Sequence, residues 1–167
     1  MIYAIVTADR NWGIGKSGRK LINIPDDEKY LIAATAGQTV IMGRKTFENV
    51  PASRNLTSRN TVVLSRNPDL QLAGAVVVHS PQEAIDEAKR LGGDIYILGG
   101  ESIFEQMLAV CDEVQVTAID YSYDADARFP DLDKSVEWVQ IADSEEQTYF
   151  DTVYYFKKYE RRKDYIG

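Results

Sequence analysis

The sequence predicts an α/β protein built on one largely parallel sheet. Short apolar segments rich in β-branched residues alternate along the chain with segments that begin at helix-start signals. This alternation is typical of a parallel sheet covered by helices on both faces. The end of the chain differs, because two longer strand-like segments flank a polar stretch there, which is a hairpin pattern. We therefore expect a mostly parallel sheet that ends in an antiparallel C-terminal hairpin.

Eight segments are predicted as strands. Six are short, apolar and rich in Val and Ile, which favours buried strands over helices. These six are residues 2–8, 39–42, 61–65, 75–79, 94–98 and 113–119. The other two, residues 138–142 and 148–159, flank the polar segment 143–147 and form the expected hairpin.

Four helices are predicted between the strands. Pro25 opens the first, and the three acidic residues after it complement the positive end of the helix dipole. The third helix, residues 81–90, follows Ser80-Pro81-Gln82-Glu83, which has the spacing of a capping box with Pro at the first helical position. Two shorter helices are predicted to begin near Lys45 and Ser102.

The composition predicts one globular domain over residues 1–167. The length suits a single domain, and a hydrophobic content of 44% is enough for a core. The lone Cys111 excludes an internal disulfide framework and fits a reducing compartment, and the lone His79 excludes a multi-His metal site. No segment approaches the about 20 apolar residues of a membrane span, and residues 1–8 lack the pattern of a signal peptide. We expect a cytoplasmic protein without a metal, in which His79 is structural.

The charge balance excludes two classes of partner. The chain has 19 Lys and Arg residues against 26 Asp and Glu residues, a net charge of −7. Nucleic acids and membrane surfaces are both polyanionic, so an acidic protein is not expected to bind either in a general way.

Three predicted strands are followed by groups that suit phosphate. Gly43-Arg44-Lys45-Thr46 places two cations and a hydroxyl at a helix start, and Ser65-Arg66 repeats this chemistry. Gly99-Gly100 allows the backbone to approach a pyrophosphate closely. The paired Ser and Arg suggest NADP rather than NAD. For each loop taken alone a structural role is the favoured interpretation, because Gly and Lys are common at helix starts.

Residues 13–18 match the letters of the dinucleotide fingerprint G-x-G-x-x-G without its structural context. The fingerprint requires a helix that opens at the glycines, whereas the next helix is predicted to begin only at Pro25. We interpret the segment as a mobile loop.

Asp27 is the candidate acid–base group. Helical spacing places its carboxylate on the same side as the apolar Ile24 and Leu31. A carboxylate among apolar groups is costly without a partner, which suggests that it binds a cationic or amidine-like ligand. The alternative is that Asp27 only complements the helix dipole.

Several motifs together resemble the dihydrofolate reductase family over nearly the whole chain. They are Trp12-Gly13-Ile14-Gly15, Ile24-Pro25-Asp26-Asp27, residues 40–48, residues 62–66, residues 97–104 and Phe129-Pro130. The resemblance implies an eight-stranded sheet with flanking helices, and a monomer. It also implies NADPH-dependent reduction of 7,8-dihydrofolate to tetrahydrofolate, and the binding of antifolate inhibitors. Two alternatives remain: a reductase of the same fold that acts on another pterin or on a flavin-pathway pyrimidine, and a weakly active NADPH-binding module.

The resemblance also implies roles for individual residues. Asp27 matches the carboxylate that pairs with the pterin and assists protonation at N5, Thr117 would hold it through its hydroxyl, and Arg59 would grip the glutamate tail. The remaining substrate positions are Ile5, Ile22, Leu31 and Val50. The cofactor positions are Val6, Thr7, Ile14, Gly15, Gly43, Arg44, Lys45, Thr46, Leu64, Ser65, Arg66, Leu98, Gly99, Gly100, Glu101, Ser102, Ile103 and Phe104. Asp126 resembles an acid that binds the active-site loop.

The chain departs from the family pattern before Asp27. Ile22 stands where the family usually has a Trp whose indole holds a water near the pterin, and Leu21 replaces a Pro. Residues 51–58 also lack the pattern that usually precedes the Arg at position 59.

Overall fold

The computed structural model describes residues 1–49 and 59–163, and strands and helices alternate along most of this length. The strands are β1 (Ile2–Ala8), β2 (Gly13–Gly15), β3 (Thr39–Gly43), β4 (Asn60–Leu64), β5 (Val76–Val78), β6 (Ile95–Ile97), β7 (Glu113–Ile119), β8 (Ala127–Arg128), β9 (Trp138–Asp143), β10 (Gln147–Tyr149) and β11 (Thr152–Arg161). The helices are α1 (Pro25–Thr35), α2 (Arg44–Glu48), α3 (Pro81–Leu91) and α4 (Glu101–Met107), and a 3₁₀ turn (Leu108–Val110) follows α4.

One mixed sheet organises the molecule. Strands β5, β4, β3, β6, β1 and β7 lie side by side in that order, and all of their pairings are parallel. Strand β11 pairs antiparallel with β7, and its outer edge is shared by β10 near Thr152 and by β9 near Arg161. The described part of the sheet is therefore eight strands wide, which confirms the predicted fold class.

The helices cover both faces of the sheet. On one face, Ile85 of α3 and Phe104 of α4 pack in a large apolar cluster with Val6 and Val116. On the other face, Val40 and Met42 pack with side chains from α1 and α2. Successive strand residues point to opposite faces of the sheet, and both faces are buried, as expected for parallel strands.

The predicted strand over residues 148–159 is wrong in its extent. The chain turns at Phe150 and Asp151, where Phe150 adopts a φ of 54°, and this turn separates β10 from β11. Residues that favour strands stand on both sides of the turn, among them Tyr149, Thr152 and Val153, so the local pattern does not reveal it. Of the segment predicted as the hairpin loop, residues 144–146 connect β9 to β10, while Asp143 ends β9 and Gln147 begins β10.

Gly13–Gly15 forms a short strand that the sequence did not predict. This strand, β2, pairs antiparallel with β8 through Gly13 and Arg128 and through Gly15 and Ala127. Glycine does not favour strands, so only the tertiary contact reveals it. The helix after it begins at Pro25, as predicted.

The third helix confirms the predicted Ser80 cap, while Glu83 Oε2 accepts from the backbone N–H of His79 at 3.2 Å. Ser80 Oγ accepts a hydrogen bond from the backbone N–H of Glu83 at 3.1 Å. Among the described residues, no helix is long and apolar enough to cross a membrane.

Candidate active site

A cavity of about 1070 Å³ opens at the edge of the sheet where β1, β3 and β4 reach their carboxyl ends. Ligands of open α/β sheets bind at this edge. The volume slightly exceeds the range of about 300–1,000 Å³ that is usual for small-molecule sites. The cavity therefore has room for one large ligand or for two ligands side by side.

Most of the residues predicted to bind ligand line this cavity. They are Ile5, Val6, Thr7, Ile14, Gly15, Asp27, Leu31, Gly43, Arg44, Lys45, Thr46, Leu64, Ser65, Arg66, Leu98, Gly100, Glu101, Ser102, Ile103 and Phe104. The wall also contains residues that sequence reasoning did not assign to ligands, among them Lys20, Asn23 and His79.

The Asp27 carboxylate is held by two threonine hydroxyls. Asp27 lies in the first turn of α1 and is only 6% exposed. Thr117 Oγ1 donates to Asp27 Oδ1 at 2.6 Å, which is the hydrogen bond that the resemblance implied. Thr7 Oγ1 donates to Asp27 Oδ2 at 2.5 Å. Each carboxylate oxygen thus has one donor and keeps capacity to accept another hydrogen bond from a ligand.

Sheet register explains why these hydroxyls converge. Thr7 of β1 and Thr117 of β7 are direct partners in the parallel pairing, so both side chains lie on the face that α1 covers. The resemblance placed Thr7 with the cofactor, and its hydrogen bond to Asp27 was not foreseen. The available signal in the sequence was a threonine near the C-terminal end of each of these two predicted strands.

A second polar contact attaches α1 to β7. The Tyr30 hydroxyl donates to Gln115 Oε1, and Gln115 Nε2 donates to Glu113 Oε2 at 2.9 Å. Burial raises the pKa of Tyr30, and the nearby carboxylate of Glu113 raises it further. Tyr30 therefore remains a protonated donor at neutral pH, and it attaches α1 to β7 on the C-terminal side of Asp27.

A lysine faces the same carboxylate. Lys20 Nζ lies 3.8 Å from Asp27 Oδ2, within ion-pair distance. Lys20 belongs to the loop between β2 and α1, just before the position where the family usually has a Trp. The side chain next to Asp27 on this loop is therefore cationic.

Ile22 is not among the described residues that line the cavity. Its side chain instead packs against the apolar cluster of Ile24, Ile119 and Tyr154. An apolar side chain is more stable in this apolar cluster than in the cavity wall, which contains the polar residues Lys20 and Asn23. The structure therefore places Ile22 away from the substrate position that the resemblance suggested.

Two further predicted substrate residues have a different status. Arg59 directly precedes β4, at the opposite end of that strand from Ser65 and Arg66, and it is not among the described lining residues. Its role with a glutamate tail stays a prediction. Val50 lies outside the described residues.

Two glycine-containing loops meet at the other half of the cavity. The backbone N–H of Gly43 donates to the carbonyl of Gly99 at 2.8 Å, which joins the end of β3 to the loop after β6. Gly99 has a φ of +103°, and the Gly99–Gly100 peptide bond is cis. A Cβ on Gly99 would lie 2.7 Å from Cε2 of Phe104, so the position accepts only glycine without displacement of that ring.

Positive charge lines the wall next to these loops. Arg44, Lys45 and Arg66 all border the cavity. The Arg44 guanidinium also binds Glu48 in the same helix, with N···O distances of 2.7 and 2.9 Å. This part of the cavity suits a ligand with several phosphates.

His79 also lies on this wall, although the sequence predicted a structural role. His79 Nδ1 is 2.8 Å from the Ser65 carbonyl oxygen, which can only accept, so Nδ1 bears the proton. The contact fixes the ring beside Ser65 and Arg66. The signal in the sequence was the position of His79 at the end of a strand adjacent to that of Ser65.

The described residues, 1–49 and 59–163, contain no cluster of three or more His, Cys, Asp or Glu side chains that could hold a metal ion. Cys111 is buried, and burial raises the pKa of its thiol to about 12. The thiol is therefore protonated at neutral pH, which excludes a nucleophilic thiolate there.

Comparison with known proteins identifies the family. A family model described as dihydrofolate reductase matches residues 1–161. The chain belongs to the dihydrofolate reductase family. It is 31% identical over 148 residues to the dihydrofolate reductase of Bacillus subtilis (strain 168), which covers 89% of this chain and 85% of that protein. It is 32% identical over 126 residues to the dihydrofolate reductase of Staphylococcus aureus (strain N315), which covers 75% and 76% of the two chains.

A solved structure agrees with this family membership. The dihydrofolate reductase from Enterococcus faecalis complexed with NADP(H) and RAB-propyl superimposes with a TM-score of 0.85 at 31% identity. The match covers 96% of each chain. The dihydrofolate reductase fold thus extends over nearly all of the chain, as the sequence motifs implied.

Proposed function

We propose that the cavity binds NADPH and 7,8-dihydrofolate side by side, with the pterin at Asp27 and the cofactor phosphates at the glycine loops. The protein belongs to the dihydrofolate reductase family and uses NADPH to reduce dihydrofolate to 5,6,7,8-tetrahydrofolate. The observation that supports the two-part assignment most directly is the geometry of Asp27. A buried carboxylate held by two hydroxyls faces one half of a cavity whose other half contains Arg44, Lys45 and Arg66.

Asp27 orients the substrate in this proposal. Its two oxygens, fixed by Thr7 and Thr117, accept hydrogen bonds from the 2-amino group and N3 of the pterin. The negative charge also favours proton uptake at N5, because a nearby anion stabilises the protonated form of the ring. Ile5 and Leu31 form the apolar sides of this half of the cavity. When bound, NADPH supplies the hydride that is transferred to C6 of the pterin.

The other half of the cavity fits the cofactor. Gly99 and Gly100 have no side chain to obstruct a pyrophosphate, and Gly100 is part of the wall. Ser65, Arg66 and His79 form a polar corner at the ends of β4 and β5, which suits the 2′-phosphate that distinguishes NADPH from NADH. Val6, Thr7, Ile14 and Gly15 border the region between this corner and Asp27, where the nicotinamide would lie.

Arg66→Ala is expected to reduce the preference for NADPH. Removal of a guanidinium from a phosphate contact costs about 1.5–3 kcal/mol, so the KM for NADPH should rise about tenfold or more. The KM for NADH should stay within about twofold, because NADH has no 2′-phosphate. Steady-state kinetics with each cofactor measures both values.

The control is Arg90→Ala on the exposed surface of α3, where Arg90 pairs with Glu87 and does not line the cavity. It should leave both KM values unchanged. An equal rise in the two KM values of Arg66→Ala would contradict a contact with the 2′-phosphate.

The activity itself is tested by the absorbance of NADPH at saturating cofactor, with and without 7,8-dihydrofolate. We expect oxidation that depends on dihydrofolate. Oxidation with another oxidised pterin or with a flavin-pathway pyrimidine in place of dihydrofolate would support the alternative substrates. NADPH binding without oxidation in the presence of any of them would indicate a binding module.

Location and assembly are also part of the proposal. We place the enzyme in the cytoplasm as a monomer. The single thiol, Cys111, is buried and free, which is compatible with a reducing compartment.

A further inference from the structure

The ion pair between Lys20 and Asp27 joins an accessible cation to a buried anion. The Lys20 side chain is 35% exposed, whereas the Asp27 side chain is 7% exposed. Their closest atoms, Lys20 Nζ and Asp27 Oδ2, are 3.8 Å apart. Both residues line the cavity, so the pair lies within the space where a ligand of Asp27 must bind.

The loop that contains Lys20 is attached to the rest of the protein at several points. The backbone N–H of Ser17 donates to Asp126 Oδ2 at 3.0 Å, and Asn49 Nδ2 donates to the carbonyl of Gly18 at 2.5 Å. Lys16 and Arg19 form a β-bridge. On the other side of Lys20, the buried Ile24 directly precedes α1. Lys20 is therefore held between two anchored segments and keeps its ammonium near the cavity.

We propose that Lys20 is a specificity-determining residue, which makes the Asp27 subsite favour neutral heterocycles over cationic ones. This inference rests on the proposed binding of the pterin at Asp27. A ligand whose ring is protonated would form its own ion pair with Asp27, and the Lys20 ammonium would then be a like charge a few ångströms away. A neutral ring uses the same carboxylate as a hydrogen-bond acceptor without this repulsion.

The size of the effect follows from the exposure of Lys20. A fully buried pair of like charges would exclude cationic ligands, but an ammonium that is partly exposed can rotate towards solvent and is screened. We expect a penalty of about threefold to tenfold in the dissociation constant of a cationic ligand. Screening also means that the penalty should decrease as the salt concentration rises.

The test compares two ligands of the same shape. One is 2,4-diaminopteridine, which binds beside a carboxylate as a ring-protonated cation, and the other is 2-amino-4-oxopteridine, which binds as a neutral ring. Titration calorimetry at pH 7 and low salt, with saturating NADPH, measures both dissociation constants for the wild type, Lys20→Met and Lys20→Gln. The control is Lys16→Met, since Lys16 is on the same loop but pairs with Asp124 at 3.3 Å and is not among the described lining residues.

We expect Lys20→Met and Lys20→Gln to bind 2,4-diaminopteridine about threefold to tenfold more tightly than the wild type. Binding of 2-amino-4-oxopteridine should change by less than about twofold, and Lys16→Met should match the wild type for both ligands. An unchanged or weaker affinity for the diamino ligand overturns the proposal. Equal changes for the two ligands also overturn it, since they would indicate a change in pocket shape rather than in charge.

Binding and turnover separate this inference from the proposed function. Calorimetry needs no reaction, so the charge preference is measured even if NADPH is not oxidised with dihydrofolate. If the wild type oxidises NADPH with dihydrofolate but the Lys20 variants keep the wild-type ratio of the two dissociation constants, only the role of Lys20 is overturned. Failure of the wild type to bind either pteridine would overturn both.

Discussion

Asp27→Asn is expected to lower the rate of dihydrofolate-dependent NADPH oxidation by at least about a hundredfold, the usual contribution of a positioned acid–base group. The amide keeps the shape of the side chain but removes the negative charge that favours protonation of the substrate. One end of the amide also donates rather than accepts, so the hydroxyl of Thr7 or Thr117 that faces it must turn from donor to acceptor. Steady-state kinetics at saturating NADPH measures the loss.

Asp26→Asn is the matched control. Asp26 is the preceding residue in the same first turn of α1, is exposed, and carries the same charge next to the helix dipole. It should keep turnover within about twofold of the wild type, because surface charges near a helix end contribute little. Similar rates for the two variants would show that the Asp27 charge has no role in the reaction.

Gly99→Ala is expected to have the largest effect on stability. Two costs add at this position: a φ of +103°, which disfavours any residue with a Cβ, and a contact of 2.7 Å with the Phe104 ring. Phe104 is buried and packs edge-to-face on Phe129 with ring centroids 4.9 Å apart, so its ring has little room to move. We expect the free energy of unfolding to fall by about 2 kcal/mol or more, and NADPH to bind more weakly.

Gly74→Ala separates the two costs. Gly74 has a φ of +81°, but a Cβ there would meet nothing within 4 Å. Urea denaturation should show a loss of about 1 kcal/mol in this control, from backbone strain alone. Cofactor fluorescence titration should show unchanged NADPH affinity. Equal destabilisation of the two variants would mean that Phe104 moves aside without cost.

Local patterns in the sequence were sufficient for most of the fold. Buried strands such as β1 and β3 have continuous apolar and β-branched runs, and α3 begins at the Ser80 cap that the structure confirms. The turn at Phe150 was missed because the residues on both sides of it favour strands. The pairing of β2 with β8 was missed because it joins segments more than a hundred residues apart, and neither favours a strand by itself.

The candidate site also divides into features that local patterns predict and features that depend on long-range contacts. The loops at Gly43, Ser65 and Gly99 were predicted because strand ends of a parallel sheet meet at one edge, and the structure brings all three to one cavity edge. The contacts of Lys20 with Asp27 and of His79 with Ser65 depend on how loops lie across that edge. Side-chain direction in a loop is determined by distant anchors, so residue type and spacing did not reveal these contacts.

The threonine pair beneath Asp27 links catalysis to folding. Thr7 and Thr117 hold the carboxylate only when β1 and β7 are paired in the native register, and a shift by one residue would turn one hydroxyl to the opposite face. These strands are far apart in sequence, and contacts of this kind form slowly because a long loop must close first. Partly folded molecules that have α1 but not this pairing therefore contain Asp27 without the two hydroxyls that orient its carboxylate. Activity is consequently a property of the completed sheet, and it reports on a long-range strand pairing rather than on the helix that contains the acid.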